Sequence, residues 1–504
     1  MGSVGDRALD DRIARVLNRH AAVGLAVGVV RAGAPASFST HGLADVVSGT
    51  PVSEDTAFRV GSITKTFTAI AAMQLVERGW LGLDAPVADH LRTFRLVAAD
   101  PRWRPATLRH LLTHTAGIGE VRRPGDLLRP VFGEMVRPGR PVPPLAAYYR
   151  RGVRLRAEPG TRWRYTGHGF AVVGQVVEDV TGVPLGRYLR RHFFEPLGMT
   201  GTRLSPPDPV GRLATGYALG RAGVRRVPDL QQVTAAAGAA VSTPRDMARY
   251  LAALLGGGAN AHGAVLTPSS MATMFAPQYR PDRRIPGMGL AFFRGDAGGR
   301  AVVEHGGLVP GFDSQIVVAP DDGVAVMAFT NGTRGGMFWL PAETDVLLRA
   351  ELGIAPETVR GDVPQRPESW GDLCGRYRLP GPLTDARARA MAGAGVDVVV
   401  RGDRLWLRVR TPVPVARRGF PLHPDDPADP DVFRLDLSRF GMATARVVVS
   451  RAPDGRACAV HFDRGQLLSA HRRGTRPDPV TDRQEEQPCS TSHRSTSKPG
   501  PPAS

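Results

Sequence analysis

The chain has 504 residues, 42% of them hydrophobic, and a formal net charge of +18 from 65 Lys and Arg against 47 Asp and Glu. That length exceeds what one core usually serves, so two or three domains are expected; the apolar share excludes a disordered or fibrous chain, and no run approaches the ~20 apolar residues of a membrane span. The charge does not make a nucleic-acid binder, because the arginines come as scattered pairs (Arg122–Arg123, Arg190–Arg191, Arg225–Arg226, Arg417–Arg418) without a zinc finger, an RNP-like aromatic segment or a long basic helix.

Residues Met1 to Asp11 carry acids where a signal peptide would have an apolar core, so a cytoplasmic location is expected. Asp10 to His20 reads as a short amphipathic helix and Gly24 to Val30 as a strand. Helical and strand periods then alternate irregularly to about Glu351. Even strand–helix–strand repeats are absent, which predicts an α+β fold rather than a doubly wound sheet. The Pro-, Arg- and Gly-rich stretch from Glu120 to Pro144 fits either a flap over a site or a surface insertion.

Residues 353–368 read as a Pro-rich linker. Beyond it come short alternating runs from Gly375, Val396, Leu405, Val432, Ala445 and Ala459, separated by turn signals, which predict a small β-barrel or sandwich over 369–474. The tail 475–504 is polar and is expected to be disordered. Cys374, Cys458 and Cys489 are too few and too scattered for a disulfide framework or metal cluster, and read as reduced thiols.

Lysine occurs only at Lys65 and Lys498, so 63 of the 65 basic residues are arginine. Lys498 lies in the polar tail, which leaves Lys65 alone in the part expected to fold. Lysine, unlike arginine, can give up its proton near neutral pH when its surroundings favour the neutral amine. Chemistry at position 65 is therefore expected before any motif is consulted.

The motif is Arg59-Val-Gly-Ser62-Ile-Thr-Lys65, running into a helix with an apolar face over Thr66 to Arg78, with Gly61 before it and Gly79 after. A spacing of three sets Ser62 and Lys65 side by side in the first turn. A serine hydroxyl is a poor nucleophile at neutral pH and needs such a neighbouring base. The helix N-terminus there favours a developing oxyanion.

Phe58-Arg-Val-Gly-Ser-Ile-Thr-Lys-Thr-Phe resembles the active-site helix of class C β-lactamases and their relatives, the D-amino-acid peptidases and β-lactamase-like esterases. Further segments match that family in order: Thr107-Leu-Arg-His-Leu-Leu-Thr-His-Thr-Ala-Gly-Ile, Glu158-Pro-Gly-Thr leading to Tyr165, Phe194-Glu-Pro-Leu-Gly-Met, Ala237-Gly-Ala-Ala-Val-Ser-Thr-Pro-Arg-Asp-Met and His305-Gly-Gly. The resemblance covers about residues 8–352. It implies an antiparallel sheet flanked by helices plus an all-helical lobe, acting on a small ester or amide through an acyl-enzyme without metal or organic cofactor. Ser62 would be the nucleophile, with Lys65 and Tyr165 sharing proton transfer. His305 and Gly307 would line the opposite wall, and the N–H groups of Ser62 and Leu308 would form the oxyanion hole.

One departure stands out. The family's Tyr-x-Asn motif reads Tyr165-Thr166-Gly167 here, which puts β-lactam and peptide specificity in doubt more than the serine chemistry. His168 either compensates for the missing carboxamide or faces solvent from a loop, the latter being the commoner case for surface histidines. His110 and His114, four apart, lack the Glu of a zinc-protease helix and are expected to pack and hydrogen-bond. Gly287-Met-Gly lacks the setting of a nucleotide loop, and no G-x-S-x-G elbow is present. Trp163, Phe312 and Trp339 read as core rather than substrate platform. Gly167 also keeps two alternatives open: a silent member that binds without turnover, and an acyltransferase.

Overall fold

Strand Gly24–Arg31 is buried along almost its whole length because it pairs on both sides, with Val324–Thr330 and with Ser37–Asp45. The computed structural model describes residues 4–204, 213–381, 389, 393–463 and 467–472. In it a seven-stranded antiparallel sheet runs in the order Phe293–Ala297, Arg300–Val309, Phe312–Ala319, Val324–Thr330, Gly24–Arg31, Ser37–Asp45, Thr50–Pro51. Period-two alternation sends Leu25, Val27 and Val29 to one face and Ala26 and Val30 to the other. The first face is covered by Val4–Arg19, through Leu9, Ile13 and Val16, and by Gly336–Glu351, through Trp339, Leu340 and Leu348.

The second face carries the helical lobe, including Thr64–Glu77, Gly167–Thr181 and Pro244–Leu255. Thr166 and Thr243 each accept the capping hydrogen bond that starts their helix. The helix after the Ser-x-x-Lys turn differs from its amphipathic expectation: 12 of its 14 residues are buried, so it is enclosed on all sides. Phe67 anchors it against Phe193, Phe194 and Tyr250, with ring centroids 5.0 to 5.6 Å apart.

The C-terminal region forms a nearly closed nine-stranded antiparallel barrel. Its strands are Phe420–Pro421, Arg404–Val409, Gly395–Arg401, Gly375–Arg378, Ser469–Arg472, Ala457–Phe462, Thr444–Arg451, Val432–Asp436 and His423–Pro424, in that spatial order. The runs expected to be strands from Gly375, Val396, Leu405, Val432, Ala445 and Ala459 all lie in it. Tyr377, Leu407, Phe433, Val447 and Val460 fill its core. Ile285 and Met288 pack against its Val432, Val448 and Leu467, and Arg284 reaches both Asp282 and the barrel's Asp429. The tail expected to be disordered lies outside the described residues. Among the described residues no helix is long and apolar enough to cross a membrane.

His461 is buried where the barrel meets the N-terminal region, between the Ser450 and Ser469 hydroxyls at 3.0 and 2.7 Å. Burial lowers its pKa to about 4. The unfolded chain takes up this proton near pH 6.5 while the native imidazole refuses it, so His461 subtracts stability as pH falls from 6.5 towards 4. Replacing His461 with Gln should flatten the acid-side decline of the melting temperature between pH 7 and 4.5. Parallel profiles for variant and wild type would contradict the assignment.

Candidate active site

Ser62 lies in a 3-10 turn, Gly61–Ile63, that runs straight into the helix Thr64–Glu77. Lys65 follows one turn on, 2% exposed, and its Nζ lies 2.9 Å from Ser62 Oγ. The same nitrogen donates to the carbonyl of Ala237 at 2.8 Å. That carbonyl belongs to the short helix Ala235–Gly238, which is tied to the helix Thr64–Glu77 again by Thr68 Oγ1 donating to Ala236 O. Two hydrogen bonds thus fix the amine beside the hydroxyl.

Tyr165 sits in the loop before Gly167–Thr181, its ring centroid 4.8 Å from Lys65 Nζ. Phe293 stacks on the tyrosine at 6.2 Å, and His114 packs on it at 4.4 Å. Strand Arg300–Val309 supplies the opposite wall. His305 is 1% exposed and 6.4 Å from Tyr165, ring to ring. Its Nδ1 donates to Gly306 O at 2.7 Å, which leaves Nε2 as an acceptor, buried and without a protein partner. Burial, and next the charge of Lys65, push its pKa down to about 3, so the ring is neutral at any ordinary pH.

Gly307 has no room for a side chain: an added Cβ would overlap Val60 O and Ser314 Oγ. Gly61, at φ +50°, approaches the same strand so closely that a Cβ there would stand 2.8 Å from Leu308 N. The backbone amide of Leu308 therefore borders the nucleophile turn, while its side chain is 53% exposed at the rim. The positions taken from the motifs, Ser62, Lys65, Tyr165, His305, Gly307 and Leu308, come together in space.

His168 does not join them as expected. It is neither solvent-facing nor a stand-in for the missing carboxamide; it is 2% exposed and its Nδ1 meets Tyr149 Oη at 2.8 Å. The helix that starts at Gly167 turns it into the protein. The space at Gly167 is taken instead by Glu134: an added Cβ would overlap Glu134 Oε2 and lie 2.9 Å from its carboxyl carbon. Glu134 is 2% exposed, its Oε2 accepts from Thr234 Oγ1 at 2.8 Å, and its Oε1 is buried without a hydrogen-bond partner. The stretch Glu120 to Pro144 brings it there, pinned by the pairing of Met135–Val136 with Gln231–Gln232.

His110 and His114 serve hydrogen bonding and packing: His110 closes a capping box with Thr107, and His114 Nδ1 accepts from Thr166 N–H at 3.3 Å. Trp339 and Phe312 are core residues, whereas half-buried Trp163 backs Tyr165 at 6.4 Å. Sequence reasoning missed Glu134, the Ala237 carbonyl and Phe293. The one available signal was the Gly in place of Asn, which called for another group to fill the space.

A helical lobe on an antiparallel sheet, with a Ser-x-x-Lys turn between them, is the β-lactamase/transpeptidase fold. A family model described as Beta-lactamase matches residues 9–351, and the chain belongs to the β-lactamase family of serine hydrolases. Esterase EstB of Burkholderia gladioli is 36% identical over 216 residues, which cover 42% of this chain and about half (54%) of the esterase. The D-amino acid amidase of Ochrobactrum anthropi superposes with a TM-score of 0.52 at 26% identity, over 65% of this chain and 90% of the amidase. An octameric penicillin-binding protein homologue from Pyrococcus abyssi shares the fold across both regions, with a TM-score of 0.59 at 23% identity, covering 92% of this chain and 99% of its own.

Restoring the family residue by Gly167→Asn should be harmful here, because the new side chain meets a buried carboxylate held by Thr234. A loss of about 1–3 kcal/mol is expected from overpacking alone. Adding Glu134→Ala should recover most of it, as coupled neighbours do. A stable Gly167→Asn single variant in chemical denaturation would show that Glu134 does not occupy that space.

Proposed function

We propose that the protein hydrolyses small esters or amides through a covalent acyl-enzyme on Ser62. The observation that carries this reading is the 2.9 Å contact between Lys65 Nζ and Ser62 Oγ, with Ala237 O fixing the amine from its other side. In its deprotonated form the amine can keep its bond to Ala237 O and accept the hydroxyl proton as Oγ attacks the carbonyl carbon. The oxyanion that forms lies against the N–H groups of Ser62 and Leu308, a pair whose members are each worth about 3 kcal/mol in comparable sites. Tyr165, within reach of Lys65, gives the leaving group its proton and afterwards takes one from the water that releases the acid, while Lys65 returns its proton to Ser62 Oγ as the acyl bond breaks. Neutral His305 offers Nε2 as an acceptor to the tyrosine or the substrate. None of these steps calls for a metal or organic cofactor.

Glu134 narrows the substrate. Where relatives carry a carboxamide beside the reacting group, this chain carries a carboxylate with one oxygen lacking a donor. Such an atom is costly to bury and is best satisfied by a substrate that brings a positive N–H group. Amino-acid esters and amides fit this requirement, and the likeness to an esterase and a D-amino acid amidase agrees with it.

Two measurements test these readings. A fluorophosphonate should label the wild type at Ser62, and Ser62→Ala or Lys65→Arg should lower turnover of p-nitrophenyl acetate by about 10³-fold or more with the fold retained. Activity persisting in Ser62→Ala would refute the nucleophile, and a wild type that neither labels nor turns over would be a silent binder. Separately, Glu134→Gln should reduce kcat/KM for D-alanine p-nitroanilide about 10- to 100-fold and leave p-nitrophenyl acetate nearly unchanged. Equal losses on both substrates would remove Glu134 from substrate selection.

A further inference from the structure

A cavity of about 260 Å³ is lined in part by His168 and shares no lining residue with the Ser62 site. Its floor is His168 with Tyr148 and Tyr149, and its walls come from Ile118, Gly119, residues 121–124, residues 151–154 and Arg156. Five arginines line it, Arg122, Arg123, Arg151, Arg154 and Arg156, and no carboxylate does.

Two of the five are committed to the fold. Arg122 donates to Tyr148 O at 2.6 Å, lies over the Tyr148 ring and pairs with Asp126. Arg156 donates to the carbonyls of Val121 and Arg122 at 3.0 and 3.1 Å. The guanidinium groups of Arg123, Arg151 and Arg154 make no hydrogen bond or ion pair with any described residue. Asp126, an acid that acts on Arg123, is shared between Arg122 and Arg129. Arg123 carries the imprint of this crowding: its proton affinity is lowered chiefly by Arg122, next by burial and further by Arg151 and Arg150, with Asp126 acting the other way.

An arginine-rich chain will gather some cations by chance, but at several other places this one matches them with acids: Arg109 with Asp84, Arg349 with Asp345, Arg434 with Asp425, Arg451 with Asp431. Unmatched like charges around a concavity repel one another and focus a positive potential into it. Planar guanidinium forks are also the side chains best suited to oxyanions. We propose that this cavity is a binding site for a compact multivalent oxyanion, a phosphate ester or polycarboxylate, held by Arg123, Arg151 and Arg154 above the His168 floor. The proposal is independent of the acyl-transfer reading, since no catalytic group takes part.

The test is calorimetric titration of the full-length protein with pyrophosphate and, separately, citrate, at a constant ionic strength of about 0.15 M so that general screening is held fixed. Saturable one-site binding of at least one probe is expected, and the arm that binds more tightly identifies the anion as phosphate-like or carboxylate-like. Arg123→Ala/Arg151→Ala/Arg154→Ala should weaken it about tenfold or more, whereas the exposed pair Arg190→Ala/Arg191→Ala should leave it unchanged. Relief of repulsion should also leave the triple variant at least as heat-stable as wild type without anion. If it nevertheless fails to fold, Arg154→Gln alone must weaken binding. Absence of saturable binding by either probe, or equal weakening by the control pair, would overturn the site.

Discussion

An amine placed inside a protein must be held by something, and here Lys65 is held by the serine hydroxyl it would deprotonate and by one backbone carbonyl. That second bond organises much of the helical lobe. For Ala237 O to reach Nζ at 2.8 Å, the short helix Ala235–Gly238 must lie directly on the nucleophile helix. The run of alanines there makes the approach possible, and Gly174 on the neighbouring helix has no Cβ because one would overlap Ala236. The sheet makes the matching approach from the other side, where Gly61 and Gly307 let strand Arg300–Val309 close on the nucleophile turn. Small residues on both flanks are the steric condition for a Ser–Lys pair with almost no solvent around the lysine.

The parts of this arrangement that were legible in the sequence are the local ones. Ser62 and Lys65 are three apart, and one helical turn brings them together without help from the rest of the chain. The lysine count pointed to position 65 because arginine fills nearly every other cationic role. The barrel strands could be read from alternation, since a strand with one face in a core writes period two into its residues. Enclosure of the Thr64–Glu77 helix could not be read so well: its polar members, Thr66, Thr68 and Gln74, look like a solvent face but are buried, the Thr68 hydroxyl donating to Ala236 O and the Gln74 amide nitrogen to the carbonyls of His192 and Val265. His168 misled for a related reason, because a histidine in a polar loop context and one capping into a tyrosine-lined interior have the same local sequence.

Glu134 was the least legible residue, and the reason is physical. Its partners are Gly167 and Thr234, joined to it by tertiary packing and by a two-residue strand, and neither leaves a periodic trace. Only the vacancy was visible, as a glycine where relatives place a carboxamide. A carboxamide both donates and accepts, whereas a carboxylate only accepts. On the proposed reading, the exchange would change the kind of substrate that satisfies the site, from one with a carbonyl to receive a hydrogen bond to one with an N–H group to give it.

The barrel bears on the same site through a short mechanical path. Met288 packs on Val432, Val448 and Leu467 of the barrel and accepts the indole N–H of Trp163 at its sulfur, 3.3 Å away. Trp163 in turn packs on Tyr165 and on Phe293, the ring that stacks on Tyr165 from the sheet edge. Tyr165 has no helix or strand of its own to fix it, lying in a loop just before a helix cap. Its position is set by rings, and the outermost of those rings rests on a residue the barrel covers. The wall that would hold the proton-transferring tyrosine is thus built jointly by the loop, the sheet edge and the C-terminal region. Loss of the barrel would uncover Met288 and loosen Trp163 before it disturbed Ser62 or Lys65, whose hydrogen bonds run to each other and to Ala237 O rather than to the barrel.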